Sequence, residues 1–464
     1  MSITSAYALP HPPLAVPAVG RGQEEKIPKT IEAMEKAARH LWLSRPDTIV
    51  FITAHGTVYS DFFHISPGKG ARGDFVRFGA KDSAYETEYD EALAFEVASQ
   101  AAALDVPAGM QGEKSKELDH GFLVPLHFIQ RQNSEFKTLR ISVSGLDAFA
   151  HYNLGRAIAK AAKALGRKIA IVASGDLSHK LSKDGPYGFH PDGPVFDEKV
   201  MQALKSGEFL KLLMLPSRLR ANAAECGCNS FIVMAGCLDK TDARAEIVSY
   251  ECPFGVGYGV VGYACEERNE SRDFLSQYSA HLTDISNKAR KGEDPYRRLA
   301  RLSLEHRLRS GKALRAREAG FDIPNELTSR KAGTFVSLHK NGELRGCIGT
   351  IAPTTDSIAE EIMRNAVAAG LNDNRFPPVS HDELPMLTYK VDVLEAPEDI
   401  EGPEELDVRM YGVIVEDGYK RGLLLPNLEG IDTVEQQVSI AKSKAGIGLS
   451  EPVKLKRFKV TRYG

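Results

Sequence analysis

Four histidines stand where an imidazole could do chemistry. His11 lies in Leu9-Pro10-His11-Pro12-Pro13, behind a short apolar start, and His55 closes an apolar run in Ala54-His55-Gly56. His179 ends Ser174-Gly175-Asp176-Leu177-Ser178-His179, and His120 lies in Leu118-Asp119-His120-Gly121. A neutral imidazole is a good ligand for iron, copper or zinc. Two imidazoles with one carboxylate make a facial triad that leaves three positions open for a bidentate substrate and dioxygen. The third ligand has to come from later in the chain. Two adjacent pairs, Glu225-Cys226 and Glu251-Cys252, each offer a carboxylate and a thiol, and spacing alone does not choose among them. His40, His64, His281, His306 and His381 stand isolated and read as ordinary surface or core histidines.

A second group of polar residues lies far downstream. Leu344-Arg345-Gly346-Cys347-Ile348-Gly349-Thr350 sets a cysteine between glycines beside an arginine, a setting that can lower a thiol's pKa. Asn372-Asp373-Asn374-Arg375-Phe376-Pro377-Pro378 is a polar turn that could join it, making Arg345, Cys347, Asn374 and Arg375 a candidate groove. One apparent motif fails. Gly257-Tyr258-Gly259-Val260-Val261-Gly262 fits GxGxxG. A dinucleotide site needs a strand before the glycines and a helix opening within them. Here they sit inside a strand-like run.

The elements around these residues alternate. Apolar spacing predicts helices near 24–43, 89–104, 154–165, 197–213 and 230–238. Buried strands are expected at 48–53, 139–143 and 169–173, with strand-like AEIVSY and VGYGVVGYA closing the run. Strands alternating with helices predict an α/β sheet with helices on both faces. Ligands in such sheets bind outside the carboxyl ends of the strands, which is where His55 and His179 fall. The composition turns polar after Cys265. We therefore expect a first domain over 1–268, a polar linker over 269–291 and a smaller α+β domain over 292–464. The second domain opens on a helix near 296–310. A hairpin is expected at Lys340-Asn341-Gly342-Glu343, because Asn-Gly between strands is a strong turn signal.

Bulk properties narrow the function. A chain of 464 residues exceeds what one core usually supports. A net charge of −3 argues against a nucleic-acid or membrane surface. The N-terminus lacks a basic start followed by an apolar run, so no signal peptide is expected. Six cysteines without a CxxC pair predict reduced thiols and a cytoplasmic protein. Oligomeric state is left open.

The His11, His55, LDHG, SGDLSH and AECG segments, in that order, resemble the catalytic (LigB-type) subunit of class III extradiol ring-cleavage dioxygenases and the related Memo proteins. LRGCIGT resembles the signature of the AMMECR domain. The two in this order resemble the fused proteins of the AmmeMemoRadiSam family. The resemblance implies that His11 and His55 are metal ligands, that His120 and His179 handle protons, and that Asp176 orients His179. It implies Glu225 as third ligand by the dioxygenase pattern and Cys226 by the Memo pattern. Glu225 is the favoured choice, and Glu251 comes last. The expected activity is that of a non-haem iron oxidoreductase acting on a catecholic or similar chelating small molecule. Fe(II) is the expected metal, with copper or zinc as alternatives. The rival expectation is a metal-binding accessory protein that works with a radical-SAM partner and has no dioxygenase activity.

Overall fold

The computed structural model describes residues 2–340, 343–428 and 430–464. The chain divides into two units, Met1–Ser279 and Ala280–Gly464.

The first unit is built on an eight-stranded mixed sheet. Its strands are β1 (Ile3–Leu9), β2 (Thr48–Thr53), β3 (Gly70–Phe75), β4 (Ala80–Tyr89), β5 (Lys137–Ser142), β6 (Ile169–Ser174), β7 (Thr241–Glu251) and β8 (Tyr258–Arg268). They lie in the order β3-β4-β5-β2-β6-β1-β8-β7. The run from β4 to β1 is parallel, while β8 and β7 add antiparallel on the far side of β1. Central strands of a parallel sheet are covered on both faces and read as continuous apolar runs. Accordingly every residue of β2 and β6 is buried.

Helix α1 (Pro28–Leu43) lies on one face, where Met34, Ala38 and Leu41 join Tyr7, Phe51 and Val172 in one core. The other helices that frame the site are α2 (Glu91–Ala102), α3 (His120–Gln130), α4 (Ala148–Ala164), α5 (Asp192–Ser206), α6 (Ser217–Ala223) and α7 (Cys228–Cys237). In α7 every residue but Asn229 is buried, as expected for a helix that is apolar all round.

The sequence expectations for β2, β6, α4 and α7 fall on these elements, with ends displaced by a few residues. The 24–43 helix is two pieces, a 3-10 turn at Gln23–Lys26 and then α1, because Pro28 opens the α-helix. The GxGxxG glycines lie in or beside β8, as a strand reading requires. The β3–β4 hairpin was not foreseen, since its polar residues alternate with exposed positions and carry no apolar signal. The expected polar linker is mostly helix. Residues 274–291 form α8 (Phe274–Lys291), anchored by buried Phe274 and Tyr278, and the boundary between the units falls inside it.

The second unit is α+β. Helices α9 (Pro295–Ser310) and α10 (Ile358–Leu371) share a core with β9 (Thr334–Lys340) and β11 (Leu387–Leu394), and β10 (Glu343–Gly349) pairs with β9. Lys340 pairs with Glu343, and the expected Asn341-Gly342 turn lies outside the described residues. A second four-stranded sheet includes Gly412–Asp417 and Lys454–Phe458. Among the described residues, no helix is long and apolar enough to cross a membrane.

Candidate metal centre

Three parallel strands deliver the site. β1, β6 and β2 are neighbours, so their carboxyl ends open side by side. His11 follows β1, His55 follows β2, and the Gly175–His179 segment follows β6. His11 is pinned twice. Its backbone N–H donates to Asp176 Oδ1 at 2.8 Å, and its Nδ1 lies 2.8 Å from Ser174 Oγ. With Nδ1 engaged, Nε2 points the other way and lies 3.0 Å from His55 Nε2.

The third donor is Cys226, whose Sγ lies 3.4 Å from His11 Nε2. It is carried in by a contact between two glycines. A Cβ on Gly175 would stand 2.0 Å from Gly227 Cα, so this crossing tolerates no side chain. At the crossing Asp176 and Cys226 bond each other twice: Asp176 N–H donates to Cys226 Sγ at 3.3 Å, and Cys226 N–H to Asp176 O at 3.4 Å. One donor atom each from His11, His55 and Cys226 lies within 4.8 Å of the others.

Glu225, the expected third ligand, is turned to other partners in this geometry. Its Oε1 accepts from Arg220 Nε at 2.9 Å and its Oε2 from the Cys228 N–H at 2.7 Å, with the side chain only 5% exposed. The carboxylate is spent on an ion pair and on the first turn of α7, where the helix N-terminus attracts a negative charge. Glu251 is also elsewhere, accepting from the Thr30 N–H at the start of α1. Its neighbour Cys252 is exposed.

The electrostatics are those of a buried cluster of neutral donors. Burial holds the His11 imidazole far below its ordinary pKa, reinforced by His55, His120 and His179. Burial likewise lowers His55, against the pull of Asp119, and pushes His120 down to about 4. The Cys226 thiol is raised by burial and by the Asp176 carboxyl. Two imidazole lone pairs and a thiol close enough to share one cation form the N/N/S donor set of a transition-metal site, and a coordinated thiol loses its proton.

His120 and His179 flank these donors. The His120 ring lies 4.1 Å from that of His55 and 5.1 Å from that of His11. Asp119 caps α3: its Oδ1 accepts from the Phe122 N–H and from Thr53 Oγ1. His179 donates its backbone N–H to Ala223 O, and its Nδ1 meets Ala224 O. Ala224, with φ of 53°, ends α6 in the left-handed region and turns that carbonyl toward the ring. Asp176, expected to orient His179, spends its hydrogen bond on His11 and acts on His179 only through its charge. Asp176 serves His11, and a backbone carbonyl orients His179.

Sequence reasoning missed Arg140. It is 1% exposed and donates to Ser66 Oγ, Ser115 O and Glu117 O, stitching the segment before His120 to the sheet. The signal was present, because an arginine inside an apolar strand demands buried acceptors.

The second-unit candidates come together only in part. Cys347 Sγ accepts from Ser337 Oγ at 3.2 Å, its N–H donates to Asp373 Oδ2, and Arg375 Nη2 donates to its carbonyl. Arg345 is turned to Glu383, with bonds of 3.0 and 2.9 Å, so it does not serve the thiol. Asn374 is exposed.

Comparison with known proteins agrees with this division. Residues 5–261 match the family model of the catalytic LigB subunit of aromatic ring-opening dioxygenase, and residues 297–463 match AMMECR1. Protein CA_C1420 of Clostridium acetobutylicum is 41% identical over 470 aligned positions, covering 100% of this chain and 99% of that protein. A Thermotoga maritima protein is 51% identical over 174 residues, covering 37% of this chain and 98% of its own. The solved structure of the uncharacterized protein PH0010 from Pyrococcus horikoshii matches at 35% identity and TM-score 0.33, covering 36% of this chain and 88% of that one.

Proposed function

Because this chain belongs to the LigB family and carries an AMMECR1 domain behind it, we propose that its first unit is a metal-dependent oxidoreductase. One transition-metal ion would be held by His11 Nε2, His55 Nε2 and Cys226 Sγ. The observation that carries this reading is the convergence of those three donors at the carboxyl ends of parallel strands. The bound ion supplies Lewis acidity and one-electron exchange with dioxygen or with a chelating substrate such as a catechol. Two imidazoles suit Fe(II), and the sulfur donor brings copper and zinc into competition.

The chain's own groups supply the rest. Ser174 fixes the orientation of the His11 ring by engaging Nδ1. With Nδ1 of His179 committed to the Ala224 carbonyl, that nitrogen carries the proton. Its Nε2 keeps a lone pair that can accept a proton from a substrate hydroxyl. His120, whose ring lies against that of His55, is the second proton-handling group.

Anaerobic titration with Fe(II), Cu(I) and Zn(II), followed by oxygen uptake with catechols, tests the reading. We expect one ion per chain, abolished by joint substitution of His11 and His55 with alanine. Unchanged stoichiometry in that variant would overturn it. The cysteine also favours a second reading, a metal-binding accessory protein working with a radical-SAM enzyme. Tight metal binding with no oxygen uptake, together with recovery of such a partner, would decide for it.

A further inference from the structure

Two exposed aromatic rings stand at the ends of the histidine cluster, one against each histidine outside the donor trio. The Phe78 ring lies 5.6 Å from that of His120, and the Tyr187 ring 5.1 Å from that of His179. Phe78 is 41% exposed and Tyr187 60%. Apolar rings left in water next to a cluster of functional groups are what a ligand-binding rim looks like.

Both rings are carried by closed turns. Phe78 ends a 3-10 turn between β3 and β4, and Arg21 Nη2 donates to the Gly79 carbonyl directly behind it at 2.6 Å. Its ring also meets that of fully buried Phe75 at 6.2 Å. Tyr187 sits in the tight turn Gly185-Pro186-Tyr187-Gly188, closed by the Gly188 N–H donating to Gly185 O. Proline presets the second position of such a turn, and the φ of 73° at Gly188 favours glycine. A bridge between Leu181 and Phe189 ties the surrounding loop. The two rings are therefore presented by short, closed turns on separate segments.

Resting on the function proposed above, we infer that Phe78 and Tyr187 are specificity-determining residues, two walls that select a flat conjugated ring among the ligands able to chelate at His11, His55 and Cys226. A ring bound against either gains offset or edge-to-face contacts that an aliphatic chelator of the same donor type cannot make.

Equilibrium binding to Zn(II)-loaded protein separates shape from chelation without turnover. The probes are 4-nitrocatechol, followed by its absorbance, and acetohydroxamate, a non-aromatic chelator with two oxygen donors, followed by competition. Phe78→Leu and Tyr187→Leu should each weaken 4-nitrocatechol about three- to tenfold. Acetohydroxamate binding should stay within about twofold, and Tyr187→Phe should behave as wild type. The unfolding midpoint of each variant verifies folding. Unchanged nitrocatechol binding in both leucine variants would overturn the inference, as would equal loss of both probes. Failure of the wild-type Zn(II) protein to bind either probe would instead remove the metal-centred reading and this inference with it.

Discussion

Gly175 and Gly227 cross so closely that a single methyl group on Gly175 would stand 2.0 Å from the Gly227 Cα. That crossing holds the segment after β6 against the segment before α7 and sets Cys226 beside His11. Gly175→Ala should force the two backbones apart. We expect a destabilisation of about 1–3 kcal/mol in urea unfolding and weakened metal binding by the folded fraction. Full metal affinity and stability in this variant would show that the crossing does not place the cysteine.

The adjacent Glu225 and Cys226 should separate cleanly by substitution. Cys226→Ser should weaken metal binding more than about tenfold with little change in stability. Glu225→Gln should do the reverse, since it removes the charge that pairs with the Arg220 guanidinium and weakens the bond to the Cys228 N–H. The cost is about 1.5–3 kcal/mol by the scale of charged hydrogen bonds. Calorimetric metal titration of both variants decides it, and the opposite order would return the ligand role to the carboxylate.

His179→Gln should retain the metal. Its ring nitrogen is tied to the Ala224 carbonyl and is not among the three converging donors. Loss of a proton-transfer group lowers turnover by about 10²–10⁴. Metal analysis of the purified variant is the check, and a metal-free product would make His179 a ligand.

Acid should destabilise the first unit early. Burial holds His64, His127 and His151 at about 4, against an ordinary value of 6.5. Between those values the unfolded chain binds protons that the folded chain refuses, so stability rises with pH across that window and is lost as pH falls through it. Thermal unfolding midpoints of metal-free protein should be flat near pH 7–8 and drop steadily from about 6.5 toward 4. A flat midpoint down to pH 4.5 would show that these imidazoles are protonated inside the fold.

Trypsin should cut after Lys291, which is exposed where α8 ends and before α9 begins. The metal should remain with the N-terminal fragment. Metal found in the C-terminal piece, or unfolding of both pieces after the cut, would show that neither unit stands alone.

How far the sequence could be read follows from what each signal depends on. β2 and β6 were legible because a buried parallel strand is apolar along its whole length. His55 and His179 were legible because they end such strands. The choice between Glu225 and Cys226 was not, since it turns on which of two adjacent side chains a left-handed residue, Ala224, and a glycine crossing rotate inward. Neither feature has an apolar pattern. The polar stretch after Cys265 read as a linker because only Phe274 and Tyr278 of its helix are buried aromatics, too few to announce a helical face.

The position of β1 has a consequence for how the protein is made. β1 lies between β6 and β8, with partners more than 160 and 250 residues later in the chain. His11 must likewise wait for Cys226, 215 residues downstream. Such long-range pairing is slow to form. The donor trio therefore does not exist on a nascent chain until nearly the whole first unit has been synthesised. Any metal held by the trio would therefore be acquired only after segments as far apart as those of His11 and Cys226 have come together.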